Sequence, residues 1–147
     1  MAAKPKKKAK PPRPPARRQP ETLRLREITP TFTAGDLQRS IAFYRDVLGF
    51  VVGEEWRENS TLQGCEMRAG AITFYLTQDD FKKGRDRQKG IGSRLRCTTA
   101  QDLDRFAGEV KARGGVLDQE PMEMPWGERQ FMITDPDGFK LTFVQAR

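Results

Sequence analysis

The chain has 147 residues, which is enough for one domain with a core of its own. It has no apolar run of about 18 residues and no apolar signal-peptide core near its start, so no membrane span or leader is expected. It also has no histidine, the side chain that carries most acid–base and metal chemistry at neutral pH. The net charge of +7 belongs to one end: residues 1–20 hold eight of the 27 Lys and Arg and no acid, leaving 19 basic against 20 acidic residues in the rest.

Residues 1–24 read as a basic tail. Its first twenty positions contain six of the ten prolines and no large apolar residue besides Met1. Such a segment cannot bury enough surface to offset its ordering entropy, so disorder is expected, with polyproline-II character near Pro11–Pro15. A charge run of this kind is usually a solvated tail. Its functional reading is a contact with nucleic acid or another acidic surface, although no aromatic residue is interleaved to stack on bases.

From Leu25 the pattern changes to that of a folded domain, 25–147. Ile28, Pro30 and Phe32 alternate with Thr29, Thr31 and Thr33 at strand period. Asp36 is placed to cap a helix carrying Leu37, Ile41, Tyr44 and Leu48 and ending at Gly49. Strands follow over Phe50–Trp56, Leu62–Met67 and Ile72–Thr77, the last two joined by the turn Arg68-Ala69-Gly70-Ala71. The polar, glycine-containing stretch 79–92 reads as a linker. The order then repeats: a strand Arg94–Thr98, a helix opened by Asp102 with Leu103, Phe106 and Val110 on one face, a stop at Gly114-Gly115, and strands Val116–Met124 and Arg129–Thr134. Asp135-Pro136-Asp137-Gly138 is a turn signal and leads into a final strand.

The halves superpose with an offset of 66, which carries Asp36-Leu37 onto Asp102-Leu103, Arg39 onto Arg105 and Gly49 onto Gly115. The expected architecture is α+β: tandem β-α-β-β-β modules, about 25–78 and 93–147, forming a curved mixed sheet around a cleft with the helices outside. Cys65 and Cys97 fall in apolar strand-like surroundings without CxxC spacing and read as reduced, buried thiols of a cytoplasmic protein.

The helix sequence Asp36-Leu37-Gln38-Arg39-Ser40-Ile41-Ala42-Phe43-Tyr44-Arg45-Asp46-Val47-Leu48-Gly49-Phe50, with Pro125-Trp126-Gly127 and Asp135-Pro136-Asp137-Gly138, resembles the glyoxalase/bleomycin-resistance/extradiol-dioxygenase family, the vicinal oxygen chelate superfamily. The resemblance covers about residues 25–146 and is specific for the fold, not for a reaction. It implies that metal-dependent relatives hold a divalent ion through His or Glu on the cleft face of the first, fourth, fifth and eighth strands. The matching positions here are Thr29, Tyr75, Arg94 (to within one residue) and Thr142. No metal and no cofactor are expected, since a permanent guanidinium repels a cation. The resemblance is therefore to the metal-free, ligand-binding branch typified by bleomycin-resistance proteins, with a homodimer expected.

Strand alternation puts Thr29, Thr31 and Thr33, then Thr73, Tyr75 and Thr77, then Arg94, Arg96 and Thr98, and finally Lys140 and Thr142 on the cleft face, against a background in which threonines are simply good strand formers. The expected ligand is a small, anionic molecule anchored by Arg94 and Arg96, with hydroxyls from Thr29, Thr31, Tyr75 and Thr142 and Trp126 as an aromatic wall. Trp56 is a second aromatic candidate, and Trp126 is also readable as a packing residue that pins its loop. Glu54, Glu55 and Glu66 lack a visible partner, and Cys97 faces the helix by parity. No catalytic residue is assigned. The alternatives are a diverged lyase or isomerase using Tyr75 or a carboxylate, and a ligand-binding module tethered to nucleic acid by its tail.

Overall fold

The computed structural model describes residues 2–12 and 22–147. Residues 2–12 form no helix or strand and are exposed. Residues 22–24 are likewise exposed and outside any helix or strand, and the tail expectation for 13–21, including Pro14 and Pro15, lies outside the described residues. The elements are β1 (Thr31–Ala34), α1 (Leu37–Ala42) widening into π-helical turns over Phe43–Val47, β2 (Val51–Glu58), β3 (Thr61–Ala69), β4 (Ile72–Gln78), β5 (Arg94–Thr99), α2 (Leu103–Ala112), β6 (Leu117–Glu123), β7 (Arg129–Thr134) and β8 (Lys140–Gln145).

The duplication is realised as two four-stranded mixed sheets of identical order, β1-β4-β3-β2 and β5-β8-β7-β6. In each, the first and last strands of the module pair in parallel and the other ladders are antiparallel. Both helices start by the same device. Asp36 Oδ1 accepts from the Arg39 amide at 3.1 Å and Asp102 Oδ1 from the Arg105 amide at 2.8 Å, satisfying one of the amides a first helical turn leaves open. A glutamine at the end of each module's last strand completes the start. Gln78 Oε1 accepts from the Leu37 amide at 3.1 Å, and Gln145 Oε1 from the Leu103 amide at 2.8 Å. Their amide nitrogens donate to the loop carbonyls just before each helix, of Gly35 and Gln101, both at 2.9 Å.

Period-2 alternation buries Cys65, Met67, Phe74 and Leu76 in the first sheet and Phe131, Ile133, Leu141 and Phe143 in the second. Tyr44 of the first helix and Val110 of α2 are both fully buried within the single core cluster that these residues form. The first strand is shorter than its threonine alternation suggests. The β1–β4 ladder reaches upstream only to the Pro30 carbonyl, which accepts from the Tyr75 amide at 2.9 Å. Ile28 is accordingly 84% exposed, and Thr29 stands two residues outside β1.

The Asp135–Gly138 turn does more than close a hairpin: it is the joint between modules. Asp135 Oδ1 accepts from the amides of Asp137 and Phe139, both at 2.9 Å, and its Oδ2 accepts from the buried Tyr44 hydroxyl at 2.8 Å. Asp137 accepts from the Gly35 amide at 2.8 Å and the Ser40 hydroxyl at 2.9 Å. The side chain of Lys89, only 7% exposed, reaches Asp79 at 3.0 Å and Asp137 at 3.8 Å. The linker thus carries a buried cation that ties its own first carboxylate, directly after β4, to one of the second module. Phe139 stacks on Phe32 with ring centroids 4.2 Å apart, so apolar contact surrounds this polar joint.

Candidate functional site

The sheet faces turned away from the helices are polar and partly open. On the first sheet Thr31 lies beside Tyr75 and Thr33 beside Thr77 in register, with Glu66 across from Tyr75 and Arg68 across from Thr73. Trp56 lies over Gly64 and meets Tyr75 edge-on at 5.8 Å. A Cβ on Gly64 would come within 2.3 Å of the indole, so the absence of a side chain there lets the ring lie against the strand. A glycine inside a strand is the sequence signal for such a close approach, though it does not say which ring makes it.

On the second sheet Arg94 pairs in register with Lys140 and Arg96 with Thr142. Arg94 Nη1 donates to Thr142 Oγ1 at 3.1 Å, and Thr142 is buried while the arginine is exposed. Arg96 is occupied differently: its Nη2 lies 2.6 Å from Glu128 Oε1. Trp126 is 58% exposed, and its indole N–H donates to Glu128 Oε2 at 3.2 Å. Glu128, held below the usual carboxylate range chiefly by Arg96, therefore joins Trp126 to Arg96. That carboxylate did not stand out in the sequence, because its partner lies 32 positions away. The expected lining is thus gathered into two groups, Thr31 with Tyr75 on one sheet and Arg94, Arg96, Thr142 and Trp126 on the other. No hydrogen bond, ion pair or ring contact joins the two groups among the described residues, and Thr29 lies outside the strand ladder.

The charges on these faces are unevenly compensated. Arg68 and Arg96 each have a carboxylate partner. Arg94 and Lys140 have none among the described residues. Glu66 is paired with Arg68 and accepts from the Glu54 amide at 3.2 Å. That amide first, and the arginine after it, hold its carboxyl below the usual range, the opposite of what a neutral-pH general base needs. Cys97 packs against the core on the helix side, and burial pushes its thiol up to about 11, which suppresses thiolate chemistry.

The four positions where metal-dependent relatives place ligands carry two hydroxyls, a phenol and a guanidinium. Because Arg94 donates to the Thr142 oxygen, the atom at the eighth-strand position is already bound to a cationic donor. This set does not fit a divalent ion.

The model of the Glyoxalase/Bleomycin resistance protein/Dioxygenase superfamily matches residues 27–143, and the chain belongs to that superfamily. It is 28% identical over 120 residues to a lactoylglutathione lyase of Haemophilus influenzae, covering 77% of this chain and 87% of that one. It is also 28% identical to lactoylglutathione lyase GLX1 of Arabidopsis thaliana over 78% of this chain, but spans only 42% of that longer protein. Among solved structures it resembles TioX from Micromonospora sp. ML1 (TM-score 0.65, 17% identity, 81% of this chain and 98% of that one). A superfamily member from Sphaerobacter thermophilus is similar in fold (TM-score 0.62, 21% identity, 82% of this chain and 98% of that one).

Proposed function

We propose that the protein is a metal-independent binder of a small, anionic molecule on the polar sheet faces, acting by sequestration or sensing. The observation that carries the reading is Arg94, whose guanidinium is directed onto the Thr142 hydroxyl at 3.1 Å and lacks a carboxylate partner among the described residues. An uncompensated cation fixed beside hydroxyls is what recognition of a carboxylate or phosphate requires. Trp56 and Tyr75 offer an aromatic floor on the first sheet. Arg96 serves to hold Glu128 and, through it, Trp126, instead of contacting the ligand.

The test is a thermal-shift screen of metal-stripped protein against anionic and cationic metabolites, followed by calorimetry on hits with Arg94→Ala. A charge-assisted contact is worth about 1.5–3 kcal/mol, so affinity should fall about tenfold or more; an unchanged affinity refutes the role of Arg94. The resemblance to two proteins named lactoylglutathione lyase favours a second reading, a diverged lyase or isomerase. Turnover by the same metal-stripped protein, lost in Tyr75→Phe, would establish that reading over pure binding.

A further inference from the structure

Two cavities flank the end of the linker. One, of about 290 Å³, lies between Thr31 and Thr33 of β1 and the linker. The other, of about 350 Å³, is lined by Gly90, Gly92, Ser93, Arg94, Gly138 and Lys140 among others. We propose that the second cavity is an oxyanion subsite that takes a phosphate monoester. It rests on the reading of Arg94 as an anion anchor and assigns a chemical class to what that residue meets.

The loop has the form such a site needs. Gly90 and Gly92 have φ of +73° and +72°, a left-handed conformation that side chains resist and that a backbone nest for an anion uses. The Ser93 amide closes the turn on the Gly90 carbonyl at 3.3 Å, while the amides of Ile91 and Gly92 have no acceptor among the described residues. A Cβ at Gly92 would meet nothing within 4 Å, so the space beside it is open to a ligand.

The loop is also held in place. A Cβ at Gly90 would come 2.3 Å from the Gly138 carbonyl oxygen, and one at Gly138 would come 2.8 Å from the Lys89 carbonyl oxygen. The linker therefore seats directly on the turn before β8. Lys89, next to Gly90, is anchored by its bridges to Asp79 and Asp137. Both cations left without a carboxylate, Arg94 and Lys140, stand in register on neighbouring strands at the cavity wall. Two positive charges beside two amides without an acceptor match a dianion with three terminal oxygens better than a monoanionic carboxylate.

The experiment is a titration of the uniformly ¹⁵N-labelled full chain with glycerol 1-phosphate, inorganic phosphate and acetate at constant ionic strength, read by amide shifts. Saturable shifts at Ile91 and Gly92 are expected, with the phosphate ester binding at least tenfold tighter than acetate. Lys140→Gln should weaken it at least fivefold, whereas Lys83→Gln, the same change in charge at an exposed linker residue outside the cavity lining, should leave it unchanged. Lys140 is exposed, so the variant should fold, and its own spectrum verifies this. The proposal is overturned by the absence of saturable shifts at Ile91 and Gly92, by shifts confined to Lys4–Lys10, by acetate binding as tightly as the ester, or by indifference to Lys140→Gln. Ester binding that survives while no ligand responds to Tyr75 or Thr142 would leave the subsite standing and refute the sheet-face reading. The reverse result would do the opposite.

Discussion

Replacing Tyr44 by Phe removes one oxygen from the module joint and little else. The ring is fully buried and makes aromatic contacts with Phe43, Phe50 and Phe74 at centroid distances of 5.2, 5.7 and 4.8 Å, all of which phenylalanine keeps. The hydroxyl donates to Asp135 Oδ2 at 2.8 Å, and that oxygen has no other donor among the described residues, because the Asp137 and Phe139 amides go to Oδ1. Loss of a hydrogen bond to a buried charged acceptor costs about 1.5–3 kcal/mol. With an unfolding entropy of roughly 2.1 cal/mol/K per residue, a chain of this size loses about 3 °C in Tm per kcal/mol, so a fall of about 5–10 °C is expected.

The cost should depend on pH. Burial already raises the Asp135 carboxyl above the usual carboxylate range, against the lowering effect of the Tyr44 hydroxyl and the two amides. A carboxyl raised in the folded state withdraws stability as pH climbs through its folded value. Removing the phenol donor raises that value further, so the variant's penalty is largest near neutrality and shrinks as acid protonates the carboxyl. Urea unfolding of both proteins between pH 4 and 7.5 measures this. A penalty below about 0.5 kcal/mol, or one that does not shrink toward acid pH, would refute the assignment of Tyr44 as the donor that supports a buried charge.

The other predictions concern the linker, a helix start and the aromatic floor. The Asp79 carboxyl is pulled down to about 2, first by Lys89, then by the Phe81 amide, with Arg87 also contributing. Its stabilisation is therefore complete above the ordinary aspartate range and lost as pH falls toward 2. Asp79→Asn should flatten that part of the acid limb in a pH series of thermal melts. Gln145→Ala removes the acceptor for the Leu103 amide and two donations, to the carbonyls of Thr99 and Gln101. It should cost about 1–2 kcal/mol by chemical denaturation. Gly64→Ala places a methyl where the Trp56 indole lies. In a Trp126→Phe background the emission maximum should move to the red as Trp56 is pushed into water, and an unchanged spectrum would show that the ring does not rest there.

Most of the module architecture was legible from local signals. Asp36 and Asp102 cap as their spacing implies, and alternation in the closing strand puts Leu141 and Phe143 in the core. Helix caps and strand parity depend on residues within a few positions, which is why one chain of letters suffices for them. The same parity put Arg94 and Thr142 on one face, and they touch.

What the sequence could not decide was which charges are compensated, because pairing across folded strands has no fixed spacing. Arg94 and Arg96 look equivalent in sequence, yet Glu128 neutralises one and leaves the other open. In the sequence Lys89 is one of several cations in the polar linker. Tertiary structure buries it between Asp79 at the start of the linker and Asp137 of the second module, since only the docked chain brings two buried carboxylates close enough to hold an ammonium there. Periodicity along the chain determined the fold and the faces of its strands; the burial and pairing of charge, which set what the site attracts, were decided by the packing of distant segments.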